Sequence, residues 1–219
     1  MELTWQNRKW DVRKTGTGGP GPNRWDERNV RLDTRGDLRL EISKRGGLWT
    51  CAELQTQERL GFGTYTFDLI ARPDRFVPQI VLGIFNYVTP DIGPDGTNEI
   101  DIEFARWGDA KNPVGNFTIW PAEKGIAQTS QTFPVALTGD YTRHTFVWTP
   151  TEVIFTSRHG HTDTGTLISS WRFAPKNPRR AIPQKPLPLH LNLWLFQGKA
   201  PMDGQPLSVG FRKFTFTAR

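Results

Sequence analysis

Apolar and polar residues alternate with a period of two along most of the chain. Between residues 30 and 42, apolar side chains occupy alternate positions on both sides of Arg35-Gly36. Successive side chains of a β-strand point to opposite faces, so this pattern predicts a hairpin with one buried face. The same pattern predicts further strands over residues 63–70, 79–85, 98–104, 115–120, 143–148, 153–157, 187–196 and 209–217.

Glycine and proline clusters separate the predicted strands, as in residues 17–22 and 89–96. No long amphipathic helix and no repeat of fixed period interrupts them. About a dozen short strands predict an all-β sandwich, because a sheet with one apolar face must bury that face against another layer. The chain has 219 residues, enough for one such domain, and we expect a single domain over 1–219.

Two predicted strands contain continuous apolar runs, at residues 79–85 and 191–196. Such runs are typical of central strands that are covered on both faces. One face would be covered by the core of the sandwich. We expect the other face to form part of a groove that ligand and loops fill.

Composition excludes several other classes of protein. Hydrophobic residues make up 36% and aromatic residues 12% of the chain, so a disordered protein is not expected. No apolar stretch is long enough for a membrane-spanning helix, and we expect no membrane association. The N-terminal residues lack the basic and apolar regions of a signal peptide, so the protein is either cytoplasmic or has lost its signal.

The net charge is +6, which could attract an anionic partner. Residues 172–185 hold five cations and no acid, and their prolines predict an extended surface loop. A nucleic-acid or sulfated-polymer site is one interpretation of this loop. We favour a solvated loop and expect no nucleic-acid partner, because the remaining basic residues are scattered.

The segment NEIDIEF, residues 98–104, is the most informative part of the sequence. Its acids Glu99, Asp101 and Glu103 occupy alternate positions, and the residues between them are apolar. In a strand the three carboxylates would therefore share one face, opposite the core. Helical geometry would instead place apolar residues beside two of the acids and turn Asp101 away from them.

Three carboxylates on one face raise the pKa of at least one of them, so the group can retain a proton near neutral pH. An ionised carboxylate beside a protonated one is the pair that glycoside hydrolysis requires. If the outer pair converges to about 5 to 5.5 Å, the reaction should retain anomeric configuration. Two alternatives remain open: an acidic solvent-exposed strand, and a calcium site formed by Glu99, Asp101 and Asp109.

The run EIDIEF resembles the catalytic signature of glycoside hydrolase family 16, in the ExDxE form of lichenases and xyloglucan-active members. Three further segments resemble parts of the same family in the family's order. These are Ala52-Glu53-Leu54 with residues 60–65, residues 144–150 (HTFVWTP), and residues 191–194 (LNLW). Together these segments span most of the chain.

The resemblance implies a concanavalin A-like β-jelly-roll of two bent antiparallel sheets, with a glycan cleft on the concave face. It makes Glu99 the nucleophile, Asp101 its assisting acid and Glu103 the general acid/base. Glu53 matches a position that hydrogen-bonds a sugar, and Asn192 and Trp194 match a strand that crosses the cleft. Trp107 and Trp120 are candidates for stacking on a sugar. For Trp148 we expect a place in the core instead.

We therefore expect an endo-acting retaining glycosidase that cleaves mixed-linkage β-1,3-1,4-glucan or a related β-glucan. A transglycosylase using the same residues, or a non-catalytic lectin-like jelly roll, are the alternatives. No cofactor and no metal are expected. The resemblance also implies a monomer that is secreted or periplasmic and takes a polysaccharide as its partner.

Overall fold

The computed structural model describes all residues, 1–219, and consists mainly of strands. In chain order these are β1 (Glu2–Trp5), β2 (Arg8–Val12), β3 (Gly16–Gly18), β4 (Asn23–Trp25), β5 (Val30–Leu32), β6 (Leu38–Arg45), β7 (Leu48–Thr50), β8 (Ala52–Leu60), β9 (Gly63–Ile70), β10 (Ile80–Asn86), β11 (Glu99–Ala105), β12 (Gly115–Trp120), β13 (Thr129–Phe133), β14 (Tyr141–Trp148), β15 (Val153–His159), β16 (Leu167–Phe173), β17 (Leu187–Leu195) and β18 (Leu207–Ala218). Helical structure is limited to α1 (Pro178–Ala181) and three single 3-10 turns, at Glu27–Asn29, Pro73–Arg75 and Phe196–Gly198. No helix is both long and apolar enough to cross a membrane.

The strands form two large antiparallel sheets. The first, here called the cleft sheet, has the order β1-β2-β8-β17-β10-β11-β12-β13. The second, the back sheet, has the order β16-β15-β14-β9-β18-β6-β5, and β7 pairs with β6. Strands β3 and β4 form a separate short hairpin. This two-layered jelly roll confirms the all-β fold that the sequence predicts.

The core lies between the two sheets and joins 43 buried apolar residues into one cluster. Stacked aromatic rings connect the layers: Phe117 of β12 lies over Phe155 of β15, with ring centroids 4.8 Å apart. Within the back sheet, Tyr65 stacks on Phe146 at 4.3 Å. Aromatic pairs of this kind stabilise by more than their buried area alone. The core therefore fixes how the two sheets lie against each other.

The predicted strands agree closely with the observed ones. The hairpin over residues 30–42 is formed by β5 and β6, with Gly36 in the turn at φ +80°. Strands β10 and β17 contain the two apolar runs and pair with each other. They lie inside the cleft sheet, because β17 also pairs with β8 and β10 also pairs with β11. All nine residues of β17 are buried. The prediction of central strands covered on both faces is confirmed.

The predicted loop at residues 172–185 differs in part from the structure. Residues Pro178–Ala181 form one helical turn, because Pro178 is suited to a first helical position and the Ile182 N–H closes the turn on the Pro178 carbonyl. Eight strands also went unpredicted, namely β1, β2, β3, β4, β7, β8, β13 and β16. Of these, β3, β4 and β7 span only three residues each, and β1, β13 and β16 are edge strands that leave many side chains partly or fully in solvent.

Replacing Ile102 by Ala tests whether the inner face of β11 belongs to the core. Ile102 is fully buried, so we expect the free energy of unfolding to fall by about 2 to 5 kcal/mol. Urea unfolding followed by tryptophan fluorescence measures this change. Leu167→Ala is the control, because Leu167 is 51% exposed and its loss should change stability by less than about 0.5 kcal/mol. Equal effects of the two substitutions would contradict this placement.

Candidate active site

Strand β11 carries the three predicted carboxylates on the outer face of the cleft sheet. Its inner residues Ile100 and Ile102 are fully buried in the core. Alternation therefore places Glu99, Asp101 and Glu103 together on the opposite face. All three line one cavity of about 540 Å³, which we call the main cavity.

The main cavity lies over the middle strands of the cleft sheet. Its lining includes all eight residues that the sequence proposed for the site: Glu53, Glu99, Asp101, Glu103, Trp107, Trp120, Asn192 and Trp194. Seven other residues, which the sequence analysis did not propose, also line it: Arg13, Gly19, Pro20, Phe85, Tyr87, Asp95 and His190.

A continuous row of paired residues crosses the cleft sheet at the level of Glu103. Glu53 of β8 pairs with Asn192 of β17, which pairs with Gly83 of β10, which in turn pairs with Glu103. A Cβ atom on Gly83 would lie only 2.5 Å from Asn192 Oδ1. A side chain at this position would therefore displace the Asn192 amide, whereas glycine leaves room for it between Glu53 and Glu103.

Asp101 is held by Trp120 of the neighbouring strand. Trp120 Nε1 donates a hydrogen bond of 3.0 Å to Asp101 Oδ2. Trp120 also pairs with Glu99 in the sheet register. The sequence proposed Trp120 for sugar stacking, and the structure assigns it a contact with the acid row.

Burial dominates the electrostatics of the acid row. The pKa of Glu99 is raised to about 8, mainly by burial and also by the negative charges of Glu103 and Asp95, while a hydrogen bond with Asp101 acts in the opposite direction. Burial likewise raises the pKa of Glu103 to about 7. The pKa of Asp101 lies well above its ordinary value, because of burial and then the charges of Glu99 and Glu103. The row therefore retains protons at neutral pH.

Hydrogen bonding indicates where one of these protons resides. Asp101 Oδ1 is buried and accepts no hydrogen bond from any nitrogen or hydroxyl group. A hydrogen bond between Asp101 and Glu99 lowers the pKa of Glu99 and raises the pKa of Asp101. When the two groups share one proton, these directions favour its residence on Asp101 and the ionised form of Glu99.

Glu53 sits between two cationic or potentially cationic side chains at the other end of the row. Arg13 Nη1 donates to Glu53 Oε2 at 2.7 Å, and His190 Nδ1 lies 3.3 Å from Glu53 Oε1. Burial by itself raises the pKa of Glu53, but the hydrogen bond and charge of His190 and the charge of Arg13 outweigh it and lower the pKa overall. Alternation within the predicted strand could have found His190, which is two residues from Asn192.

Aromatic side chains form the wall beside Glu103. Trp107 follows the end of β11 in a left-handed conformation, with φ +52°. Its ring lies 6.4 Å from that of Trp194 and 5.8 Å from that of Phe196. Trp148, by contrast, is fully buried and donates to the Pro183 carbonyl at 2.9 Å, which confirms its predicted place in the core.

A second cavity of about 490 Å³ continues the cleft beyond Glu103, and we call it the side cavity. Glu103, Trp107 and Trp120 line both cavities. The rest of the side cavity is built from hydroxyl and amide side chains and one proline: Asn112, Pro113, Asn116, Thr118, Gln128, Ser130 and Thr132. A polymeric ligand that extended through both cavities would therefore pass Glu103.

Two loops border the cleft, as the sequence predicted. The loop before β11 brings Asp95 to the main cavity, and the loop after it supplies Trp107, Asn112 and Pro113. Asp109, from the alternative calcium site, lines neither cavity. Its carboxylate accepts instead from the Lys111 N–H at 2.9 Å. No group of three or more His, Cys, Asp or Glu side chains is arranged to hold a metal ion.

Comparison with known proteins agrees with the fold. Two solved structures align over almost the whole chain, both with TM-score 0.69. One is a β-glucanase of Bacillus licheniformis, 23% identical over 96% of this chain and 92% of the other. The other is a β-1,3-1,4-glucanase (lichenase) from a mouse hindgut metagenome, 22% identical over 97% and 94%.

A third structure, from Mycobacterium tuberculosis, is described as an immunostimulatory antigen and pseudo β-1,3-glucanase. It is 20% identical over 92% of this chain and 88% of the other, with TM-score 0.68. A search of curated proteins gave no significant match. The model of glycosyl hydrolases family 16 matches residues 22–206. Since that match covers most of the 219 residues, the chain belongs to glycosyl hydrolases family 16.

Proposed function

We propose that the protein is an endo-acting glycosidase that cleaves a β-glucan with retention of configuration. The observation that carries this proposal is the row of three carboxylates on β11, which lines the cleft and retains protons near neutral pH. A retaining glycosidase needs one ionised and one protonated carboxyl group that act on the same glycosidic bond. The raised pKa values keep a proton in the row near neutral pH, and the hydrogen bond with Asp101 favours the ionised form of Glu99.

In the first step, Glu99 attacks the anomeric carbon and the bond to the departing oxygen breaks. Glu103 donates its proton to that oxygen, which leaves as a hydroxyl group. Asp101 holds a hydrogen bond to Glu99 and so favours its ionised form. In the second step, Glu103 accepts a proton from water, which attacks the anomeric carbon and releases Glu99.

An open cleft on both sides of Glu103 supports internal cleavage of a polymer. The main and side cavities meet at Glu103, so sugar units could be bound on either side of the bond to be cleaved. A β-glucan is proposed as substrate because two of the similar structures are described as a β-glucanase and a β-1,3-1,4-glucanase. Mixed-linkage β-1,3-1,4-glucan is the first substrate to test.

Release of reducing ends from a panel of neutral β-glucans tests the proposed function directly. Wild-type protein should release oligosaccharides, and Glu99→Ala should reduce kcat by more than about a thousandfold because it removes the nucleophile. Full activity of Glu99→Ala would reject the assignment. The fluorescence unfolding curve of the variant serves as the control for folding.

The roles of Glu99 and Glu103 can be separated by adding azide to the two alanine variants, with an aryl β-glucoside as substrate. In Glu99→Ala, azide should replace the missing nucleophile and give an α-glycosyl azide. In Glu103→Ala, azide should attack the glycosyl-enzyme from the opposite face and give a β-glycosyl azide. The anomeric proton coupling in the NMR spectrum distinguishes the products. The opposite pair of products would reverse the two assignments.

Glu103→Gln should lose activity on natural glucans but keep part of it on aryl glycosides, whose leaving group needs little protonation. Wild-type kcat/KM should be highest at about pH 7 to 8 and fall at higher pH, because the first step needs Glu99 ionised (pKa about 8) and Glu103 protonated (pKa about 7) at the same time. When the rate of the first step is measured with aryl glycosides, the decrease in kcat/KM at high pH should be absent from Glu103→Gln. A pH profile that is the same in both proteins would exclude Glu103 as the acid.

A non-catalytic glycan-binding protein is the second candidate, because one similar structure is described as a pseudo β-1,3-glucanase. Calorimetry with a glucan oligosaccharide distinguishes the two. Binding by the wild type without any release of reducing ends would favour this candidate. Transfer of the glycosyl group to a second sugar would use the same carboxylates and would appear as longer oligosaccharide products.

A further inference from the structure

Asp95 lies at the rim of the main cavity, close to Glu99. Its negative charge contributes to the raised pKa of Glu99. Asp95 Oδ1 accepts hydrogen bonds from the Tyr87 hydroxyl and the Gly96 N–H. No protein group donates to the other oxygen, Oδ2, so this carboxylate has an acceptor available to a ligand.

The loop that carries Asp95 is held in place by its own contacts. Arg59 donates two hydrogen bonds to Asp91, of 2.7 and 2.9 Å, and thereby ties the loop to β8. The Thr97 hydroxyl donates to the Pro94 carbonyl at 2.7 Å. The Tyr87 ring, which holds Asp95, packs edge-on against His190 with centroids 5.6 Å apart. These contacts hold Asp95 at the cavity in the observed conformation. The loop therefore does not have to move for Asp95 to contact a ligand.

The charge of the main cavity is opposite to that of the whole protein. The chain carries a net charge of +6, yet five carboxylates line this cavity: Glu53, Asp95, Glu99, Asp101 and Glu103. Arg13 is the only lysine or arginine among the lining residues, and its charge is used by Glu53 at 2.7 Å. Arg13 also lies 4.0 Å over the ring of Trp25. No free cation is left in the cavity for an anionic group.

An independent feature of the cavity also calls for a hydrogen-bond donor. Asn192 is 4% exposed, lines the main cavity, and its Oδ1 atom has no hydrogen-bond partner. Buried polar atoms are almost always paired in folded proteins, so an unpaired one in a cleft is a site for ligand contact. Asn192 Oδ1 and Asp95 Oδ2 are both acceptors. A sugar hydroxyl can donate to each of them.

We propose that Asp95 is a specificity-determining residue that accepts a hydrogen bond from a hydroxyl of the sugar next to Glu99. Through this contact the cleft selects neutral, unsubstituted glycans and rejects glycans that carry carboxylate or sulfate groups at that position. The inference rests on the proposed function and narrows its substrate class.

The physical reason is that an anionic substituent brings only acceptors to a cavity that already presents acceptors. Such a group leaves Asp95 Oδ2 without a donor, and its charge is repelled by those carboxylates of the cavity that are ionised. Rejection of this kind is a repulsive contribution to specificity, separate from the attraction of the preferred ligand.

Asp95→Asn tests the proposal because it keeps the size of the side chain and removes its charge. The substrates are one neutral mixed-linkage glucan and the same glucan after partial carboxymethylation. We expect kcat/KM on the neutral glucan to fall by about three- to tenfold, as for loss of a hydrogen bond to a charged acceptor. The ratio of carboxymethylated to neutral activity should rise by about tenfold.

Two matched variants control this experiment. Asp163→Asn removes the same charge from a carboxylate that is 85% exposed, pairs with Arg143 and does not line the cavity, so it should leave the ratio unchanged. Asp95→Glu retains the charge and should retain the rejection of the carboxymethylated glucan. An Asp95→Asn ratio equal to that of the wild type, or an equal rise in Asp163→Asn, would overturn the proposal.

Binding separates failure of this inference from failure of the proposed function. Calorimetry in the Glu99→Ala background compares the affinities of neutral and carboxymethylated glucan oligosaccharides, with and without Asp95→Asn. If the wild type cleaves nothing but Asp95→Asn still removes the preference for neutral ligand, the proposed function fails and the inference stands. If cleavage occurs and neither the kinetic nor the binding preference depends on Asp95, the inference fails alone.

Discussion

Burial of the inner face of β11 is the constraint on which the candidate site depends. Ile100 and Ile102 are fully buried between the two sheets, and strand geometry then fixes the outward direction of their neighbours. Asp101 cannot leave the cleft without removing apolar side chains from the core. The hydrophobic effect therefore positions the acid row, although Ile100 and Ile102 themselves do not line the cleft.

The same arrangement has a cost in stability. Burial raises the pKa of Glu103 from its ordinary 4.5 to about 7, so the folded state binds this proton more tightly than the unfolded state. The resulting stabilisation is complete below about pH 4.5 and is lost as the pH rises through about 7. The protein thus becomes less stable in the range where Glu103 ionises, and the same raised pKa lets Glu103 hold a proton near neutral pH, as the proposed function requires.

Net charge is a poor guide to the ligand of this protein. The chain is basic, and residues 172–185 hold five cations without an acid. In the structure one of these, Arg180, pairs with Glu123, and another, Arg172, pairs with Glu152. The main cavity, in contrast, is lined by carboxylates. The net charge of the whole chain therefore favours anions at long range, whereas the carboxylates of the main cavity disfavour them at short range. The proposed neutral substrate follows from the groups that line the cavity.

The sequence by itself determined ten of the eighteen strands, the two-layered fold and the common face of Glu99, Asp101 and Glu103. These features depend on local alternation, which can be read from neighbouring residues alone. Tertiary structure decided that Trp120 donates to Asp101, that Gly83 makes room for Asn192, and that Arg13, His190 and Asp95 meet around one cavity. Those contacts join distant segments, and the register between paired strands follows from how the whole core packs, which no local pattern encodes.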